Sequence, residues 1–539
     1  MFSNKKLAVA VTGAVLLMAG QFALADSTTD IVDALVGKGV LTEEEGKLIS
    51  KGHTSQKDKT PTVKEKDGAF ILSSPNGKNS IQLTGRLHFD YRNSDINSYG
   101  TAGGNNFGSD YDRDSASTAD HFLIRRARIG VKGRLGGIAD YEVVGNLPGT
   151  ATIDVAYLDI NKYEPLGLKF GKFKQPYNLE EQTSSNNIDF VERSYINQNA
   201  PGKKLGAMLH GEFTGATYAA SMFNMNDDAT SSKDKDMSFA GRGTLNFAEI
   251  MGNKDMVLHV GVAGFDSEYQ IAPALSNNTG DALNAAESRG TVFGFRSAGG
   301  GLSNIYRAQI AGTTVNTGFG FGSSSPTTSN VKAKALGLEG IVAYNNFKIQ
   351  GEYSAADYKA QASGRSTDPV ESIKADVDTA YIEALWLVTG EKYSDSYKKG
   401  AFGSIKPKSE FNFDSGSGYG AWELGVRYDM FDVTNTDHTG TGVSRFQGAL
   451  VGGAGSNYDF NQTCKYVSGQ NNADCNSNGG AHTYTYGIKW VMNPNMLIKA
   501  NWAHTKFDNA FKPIDLKGND TQKLVDSEDL IMIRGQYMF

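Results

Sequence analysis

The chain of 539 residues is poor in cysteine and proline, with two and twelve of them, and after its first 25 residues it has no long hydrophobic run. No later stretch approaches the roughly 18 consecutive apolar residues of a transmembrane helix, which excludes a helical membrane protein. A membrane barrel stays open, because lipid-facing and water-facing residues alternate along its strands and dilute the hydropathy of each segment. The abundant residues, 63 glycines, 24 tyrosines and 28 phenylalanines, suit twisted strands, tight turns and interfacial aromatic girdles.

The N-terminus has the organisation of a secretory signal. Two lysines precede an apolar stretch over 7–20, which is followed by Ala23-Leu-Ala25. A basic region, a short apolar region and a small-residue cleavage site predict a signal peptide over 1–25. The alternative is a retained membrane anchor, but that would need roughly 20 apolar residues, more than the stretch contains.

Charge and cysteine content say little about ion preference. The formal charge of −6 is mild, and extracellular loops would dominate such a total. Cys464 and Cys475 lie close together in a polar segment rich in Gly, Asn and Ser, which in an exported protein predicts a disulfide bond. These two cysteines have no companion ligands for a metal cluster, so neither a metal nor a cofactor is expected.

The segment that follows the signal divides into two parts. Residues 26–52 predict a short helical hairpin, in which Thr42 and Glu45 have the spacing of a capping box. Residues 53–79 are polar and predict a linker to a barrel over 80–539. Everything up to residue 69 is expected to lie in the periplasm and to be dispensable for pore formation.

From residue 80 onward the hydrophobic pattern has a period of two. Between Ile81 and Arg92 the odd positions are mostly apolar and the even positions polar. The fold class is therefore all-β, a transmembrane antiparallel barrel of about 16 strands, with a further pair near 295–320 left open; a soluble antiparallel sandwich is the alternative. The predicted strands are 80–92, 121–135, 138–147, 151–161, 166–174, 204–213, 216–224, 237–248, 255–266, 331–344, 346–356, 377–389, 419–431, 482–492, 495–508 and 528–539.

Loop lengths and the last strand agree with an outer-membrane barrel. Short connections alternate with long ones, as periplasmic turns alternate with extracellular loops, and only 390–418 is long on the short side. The last strand, 529–539, alternates apolar residues up to the terminal Phe539. This ending resembles the signal read by the outer-membrane assembly machinery, so that machinery, outer-membrane lipid and the bacterial outer membrane are the expected partners and location.

Several motifs in order resemble the phosphate-selective porin O and P family. They are FLIRRARIGVKG at 122–133, KFGKFKQPYNLE at 169–180, FVER at 190–193, and LVTGE at 387–391 leading to FGSIKP at 402–407. The resemblance implies a 16-stranded barrel, usually trimeric, that passes phosphate and other anions through a constriction lined by Arg and Lys. It also implies that extracellular loops, here 175–203 as the third, and one periplasmic turn, here 390–418, fold into the lumen.

The candidate pore residues are cationic. Arg126, Arg128, Lys132 and Arg134 share one face of the second strand, opposite apolar residues, and guanidinium groups match the oxygen geometry of phosphate. The remaining candidates lie in strands, in the third loop or in the long turn: Lys172, Lys174, Arg193, Lys203, Lys204, Arg242, Lys398 and Lys399. Bracing of the loop by Arg193 is an equally good interpretation of that residue.

Three functions remain possible: an anion porin, a general diffusion porin of mixed charge, and a structural or adhesive surface barrel. Inward carboxylates favour the second: Asp140, Glu142, Glu212, Glu352, Glu383 and Glu423. A polar lumen disfavours the third. Scattered histidines and the absence of a nucleophile motif argue against an enzyme, and no nucleic-acid partner is expected.

Overall fold

The computed structural model describes residues 32, 35–49, 60–66, 68–99, 120–149, 151–226, 237–271, 289–297, 305–311, 329–362, 371–439, 445–447, 478–511 and 524–539. The predicted signal peptide and both cysteines lie outside these ranges, so the disulfide stays a prediction. Within the described residues, no helix has the length and apolar character needed to cross a membrane.

Sixteen antiparallel strands form a closed barrel. Each strand pairs with the next, and the last pairs with the first, which confirms the predicted fold class and strand count. The strands are β1 Ser80–Tyr99, β2 His121–Leu135, β3 Ala139–Asn146, β4 Thr152–Tyr163, β5 Leu166–Lys174, β6 Lys203–Phe213, β7 Ala216–Phe223, β8 Ser238–Asn246, β9 Met256–Ile271, β10 Ser329–Tyr344, β11 Phe347–Ala362, β12 Glu371–Leu387, β13 Ala421–Thr439, β14 Gly479–Asn493, β15 Met496–Phe511 and β16 Leu524–Met538.

Outward side chains are apolar and inward side chains polar along most of the wall. On β10, Leu336 and Leu338 are 60% and 56% exposed on the outside, whereas Glu339, the next residue, is buried inside. On β16, Ile531 and Ile533 face outward and Arg534 is fully buried. This alternation is the one predicted from the sequence, and it gives lipid an apolar surface and the lumen a charged one.

Two β-bulges interrupt the alternation near the third loop. The register of β1 and β2 shifts between His88 and Phe89, which leaves Arg125 as an extra residue on β2. The register of β3 and β4 shifts between Val144 and Gly145, which leaves Asp154 extra on β4. Each bulge lets two successive residues face the lumen, which a strict period of two does not allow.

Aromatic rings mark two levels of the outer wall. Trp422 stacks on Trp490 with ring centroids 5.1 Å apart near the periplasmic ends of β13 and β14. Farther along the same wall, Tyr486 stacks on Trp502 at 5.5 Å. Amphipathic rings of this kind are enriched near the interfaces of membrane barrels.

The C-terminal residue completes the seam where β16 meets β1. The Gly85 amide donates a hydrogen bond to the Phe539 carbonyl at 2.9 Å, and the Phe539 amide donates to the Gly85 carbonyl at 3.2 Å. A Cβ on Gly85 would lie 2.3 Å from the Phe539 ring, so the glycine leaves the space that the terminal ring occupies. The terminal phenylalanine is therefore part of the barrel closure.

The segment before the barrel is partly as predicted. Thr42 and Glu45 form the capping box: the Thr42 amide donates to the Glu45 carboxylate at 2.9 Å and the Glu45 amide to Thr42 Oγ1 at 3.2 Å. The assignment of 53–79 as linker is wrong in part, because Thr62–Lys66 and Ala69–Ser73 form a β-hairpin whose second strand pairs with the start of β1. β16 pairs with β1 only from Arg86 onward, so the start of β1 has a free edge, and the hairpin covers that edge.

A graded deletion tests the role of this N-terminal segment. No described residue before Ala69 lines a lumenal cavity, whereas Ala69 and Ile71 do. Deleting residues 26–59 is therefore expected to leave the single-channel conductance in planar bilayers unchanged, and extending the deletion through Ser73 is expected to alter it. A changed conductance in a correctly assembled 26–59 deletion would contradict this assignment.

Part of the extracellular half of the lumen is filled with apolar side chains. Arg289–Phe295 and Tyr306–Ala311 pair as a hairpin, which Arg445–Gln447 extends to three strands. Phe295 stacks on Phe431 of β13 with ring centroids 4.0 Å apart. The open question near 295–320 is thus resolved: strands exist there, but they belong to a separate sheet packed against the barrel and not to its wall.

Candidate pore

The third extracellular loop, residues 175–202, crosses the interior of the barrel. It begins with a short helix, α1 (Leu179–Gln182), whose Leu179 and Glu180 amides donate to the Glu352 carboxylate on β11 at 2.6 and 2.8 Å. The same acid accepts a hydrogen bond from the Tyr381 hydroxyl at 2.8 Å. An inward carboxylate on the wall therefore satisfies the free amides at the start of this helix.

Asp189 ties the middle of the loop to two wall strands. Its carboxylate lies 2.6 Å from Lys348 of β11 and 2.7 Å from Lys489 of β14. The three side chains are 9%, 1% and 5% exposed. Separating a buried ion pair leaves an uncompensated buried charge, which costs several kcal/mol of free energy. Asp189 therefore fixes the position of the loop.

The long periplasmic turn, residues 388–420, meets the loop from the other side. The Lys348 ammonium lies 4.2 Å from the centroid of the Phe402 ring, and Ser404 Oγ donates to Asn187 at 3.0 Å. Tyr397 holds the turn against β9 through a 2.6 Å contact with His259. We call the loop 175–202 and the turn 388–420 together the septum; both segments enter the lumen, as the resemblance to the porin family implied.

Backbone groups of the loop are bound by the strands that close the barrel. Arg534 donates to the Val191 carbonyl at 2.5 Å, and Asn501 accepts from the Val191 amide at 2.6 Å. Lys499 donates to the Ile188 carbonyl. Because β11 to β16 are thus occupied by the septum, free space remains on the side of β1 to β6.

A cavity of about 830 Å³ lies between the septum and that wall. Its charged lining consists of eight cationic side chains and three carboxylates. The cations are Arg86, Arg126, Arg128, Lys132, Lys169, Lys174, Arg193 and Lys203, and the carboxylates are Glu142, Asp154 and Glu181. The lining therefore has a large excess of positive charge.

Arg126 is the most unusual member of this lining. It is 8% exposed, and its Nε and Nη1 atoms have no hydrogen-bond partner among the described residues. Buried polar groups are normally satisfied, and a guanidinium has five donors. Arg126 therefore keeps two buried donors without a partner at the edge of the cavity, and its charge has no acidic partner among the described ion pairs.

Next to it, Arg128 is balanced by a carboxylate. Arg128 Nη2 lies 2.8 Å from Asp154, which also contacts Lys203. Arg86 lies beside Arg128 in the register and donates to Ser185 of the loop at 3.0 Å. Asp154, the extra residue of the bulge on β4, therefore neutralises one of the three positive charges of Arg86, Arg128 and Lys203. The cluster keeps a net positive charge.

Lys174 and Arg193 line the cavity and also brace the loop. Lys174 Nζ donates to the Glu181 carbonyl at 2.5 Å, and Arg193 donates to the carbonyls of Glu180 and Thr183, each at 2.8 Å. Burial would raise the pKa of the Glu181 carboxyl, but Arg193 and Lys174 together lower it below the ordinary value. The bracing interpretation of Arg193 is correct, and it does not exclude a place at the cavity.

A second cavity of about 450 Å³ follows on the periplasmic side and shares Lys169 with the first. Arg134, Arg242 and Lys399 line it. Each has a carboxylate partner, at distances of 2.8, 2.6 and 2.8 Å: Asp140, Glu339 and Glu212. This chamber is close to balanced in charge, unlike the first.

Three predicted pore residues line neither cavity. Lys172 continues the outward series of Leu168 and Phe170, so its side chain follows the apolar face. Lys204 neighbours Lys203, and successive strand residues point to opposite sides. Lys398 is exposed in the short hairpin Tyr397–Lys398 and Ala401–Phe402.

Several cations near the lumen were missed from the sequence, among them Arg86, Lys169 and Arg125. Arg86 and Lys169 lie on water-facing positions. The sequence does not give the strand register, so it could not show that they line the same cavity as Arg128. Arg125 was assigned to no face, because the bulge that turns it inward leaves no mark in a pattern of period two.

Comparison with known proteins identifies the family of this chain. The model of the family described as phosphate-selective porin O and P matches residues 81–286 and 308–539. The chain belongs to that family. It is therefore a porin of the bacterial outer membrane.

Individual relatives are more distant. This porin is 28% identical to Porin O of Pseudomonas aeruginosa over 445 residues, which cover 76% of this chain and 88% of the relative. Among solved structures, an anion-selective porin from Comamonas acidovorans has a TM-score of 0.42 at 10% identity, covering 86% of this chain and all of that one. The outer-membrane protein OmpT of Vibrio cholerae has a TM-score of 0.43 at 9% identity, covering 86% and 98%.

Proposed function

We propose that this porin passes small anions, with phosphate among them, through the cavity between the septum and β1 to β6. The observation that carries the proposal is the lining of eight cations against three carboxylates, with two buried nitrogens of Arg126, Nε and Nη1, left without a hydrogen-bond partner among the described residues. A narrow aqueous path lined by one sign of charge concentrates ions of the other sign, because its low-dielectric walls focus the field.

The competing function is a general diffusion pore of mixed charge. The inward carboxylates that favoured it are real, but three of them, Glu352, Glu383 and Glu423, are buried behind the septum and line neither cavity. Their charges act on the loop rather than on a passing ion. Mixed charge describes the second chamber, whereas the first is cationic.

Phosphate suits this lining because of its oxygen geometry. Arg presents a planar fork of donors that can bind two phosphate oxygens at once, and Lys adds a point charge. The description of the family as phosphate-selective supports phosphate, or polyphosphate with the same oxygen groups, as the physiological anion.

The remaining assignments are part of the same proposal. The protein acts as a channel and not as an enzyme, needs no cofactor and assembles as a homotrimer in outer-membrane lipid. The strand ending in Phe539 is recognised by the barrel assembly machinery. The closure of the seam through Phe539 and Gly85 supports a role of the last residue in assembly.

A reversal potential tests the proposed function directly. Purified porin in a planar bilayer under a tenfold KCl gradient is expected to give a potential with the sign of anion preference, up to the roughly 59 mV of an ideal pore. Phosphate added at low salt is expected to reduce the chloride current, and higher ionic strength to weaken that block through screening. A potential of zero or of the opposite sign would favour general diffusion.

A further inference from the structure

Glu192 of the third loop lies among three guanidinium groups above the cavity. Its carboxylate accepts hydrogen bonds from Arg92 at 2.6 Å, from Arg125 at 2.7 and 3.2 Å, and from Arg534 at 2.9 Å. The Glu192 side chain is 12% exposed. The loop therefore inserts a single negative charge into a cluster of positive charges.

The three arginines do not depend on Glu192 equally. Asp90 also pairs with Arg92 at 2.7 Å and with Arg534 at 2.6 Å, so these two keep a carboxylate if Glu192 is removed. Arg125 has Glu192 as its only acidic partner among the described residues, through two hydrogen bonds. Arg125 is also the most exposed of the three, at 34% of its side chain.

Arg125 and Arg126 are adjacent at the bulge and both face the lumen, but only Arg125 has an acidic partner among the described ion pairs. Glu192 neutralises Arg125, and Arg126 keeps unused donors. Burial would raise the pKa of the Glu192 carboxyl, yet Arg125, Arg534, Arg92 and Arg126 together hold it well below the ordinary value. The surrounding guanidinium groups therefore favour the ionised form of this carboxylate.

We propose that Glu192 is a specificity-determining residue of the pore, which weakens anion binding at the bulge by neutralising Arg125 so that a bound anion can leave. The inference rests on the proposed anion passage. Conduction requires binding that is favourable enough for entry but weak enough for release. Two adjacent free guanidiniums would hold phosphate through two forks, whereas one free guanidinium beside a neutralised one holds it through a single fork.

The test is the phosphate concentration that halves the chloride current at low salt. Glu192→Gln keeps the side-chain shape and frees the Arg125 charge. The half-blocking concentration is expected to fall about tenfold, since a charge-assisted hydrogen bond becomes available to the anion. Glu192→Asp should restore wild-type block. Asp357→Asn, the control, removes a carboxylate charge from an exposed pair with Lys359 on β11, away from the third loop, and should leave the block unchanged.

A double-mutant cycle separates this role from simple bracing. Arg125→Gln alone leaves Glu192 with excess charge and should raise the half-blocking concentration, and Arg125→Gln with Glu192→Gln should return it near the wild-type value. If Glu192→Gln alone does not assemble, the comparison of the double variant with Arg125→Gln still tests the inference. An unchanged or weaker block in assembled Glu192→Gln, or a double variant with a weaker block than Arg125→Gln alone, would overturn the inference. Wild-type porin without anion preference would instead overturn the proposed function.

Discussion

The double variant Arg126→Glu, Arg128→Glu is expected to assemble as a heat-modifiable barrel and to shift the reversal potential toward cation preference. The first cavity would then be lined by six cations and five carboxylates instead of eight and three. Lumenal substitutions tune selectivity, whereas lipid-facing charges impair insertion, and both arginines line the lumen. The expected shift is a large part of the roughly 59 mV that separates an ideally selective pore from an unselective one in a tenfold gradient.

A double glutamine variant and a control on the outer wall show whether the shift in reversal potential comes from charge in the lumen. Arg126→Gln, Arg128→Gln removes two charges without adding any and should give about half the shift. Lys334→Glu changes the same type of charge on the outer face of β10, where the side chain is 64% exposed and pairs with Asp266, and should leave the potential unchanged. If the assembled double glutamate variant keeps wild-type selectivity, the two arginines only brace the wall.

The second large effect is expected at Asp189, the acid that anchors the septum. Asp189→Asn leaves the buried ammonium groups of Lys348 and Lys489 without their shared carboxylate, which costs about 3 to 5 kcal/mol for a buried pair of this kind. Lys489 retains Glu423 at 2.6 Å, whereas Lys348 has no second acid among the described ion pairs. We expect the loop to detach from β11, the conductance to increase and anion preference to decrease.

Two measurements distinguish a detached loop from an unfolded barrel. The temperature of the heat-modifiable gel transition should fall in Asp189→Asn, while single channels remain and become larger. Asp357→Asn removes a similar partner from an exposed pair with Lys359, whose side chains are 45% and 56% exposed, and should change neither quantity. A channel of normal size with normal selectivity in Asp189→Asn would mean that other contacts hold the loop.

The barrel was predictable because its determinants are local. A period of two and turn residues specify each strand without reference to any other, so all sixteen strands could be found, with differences mainly at their extracellular ends. Six of the predicted cations, among them Arg126 and Lys203, line the first cavity. Entry of the third loop and of the long turn into the lumen came from resemblance to a family and not from the residues themselves.

What the sequence could not give depends on pairing across the barrel. Asp189 has its partners at positions 348 and 489, and no local pattern relates residues so far apart. The inward carboxylates therefore suggested a mixed-charge pore, although Glu352 and Glu423 serve the septum. The short hairpin before β1 was missed because its strands have only five residues each, the first of them charged, and become strands only by docking on a free edge.

Because of the bulge on β2, the number of residues in that strand decides which arginines face the lumen. Below it, Ile129 faces lipid and Arg128 faces water; above it, Phe122 and Ile124 face lipid again only because one extra residue has been absorbed. Deleting a neighbouring residue such as Ala127 would restore strict alternation and keep only one of Arg125 and Arg126 inside. The other would meet the hydrocarbon, at a cost of about 2 to 4 kcal/mol at the midplane. Chain length at this point should therefore tolerate change far less than it does in the long external loops.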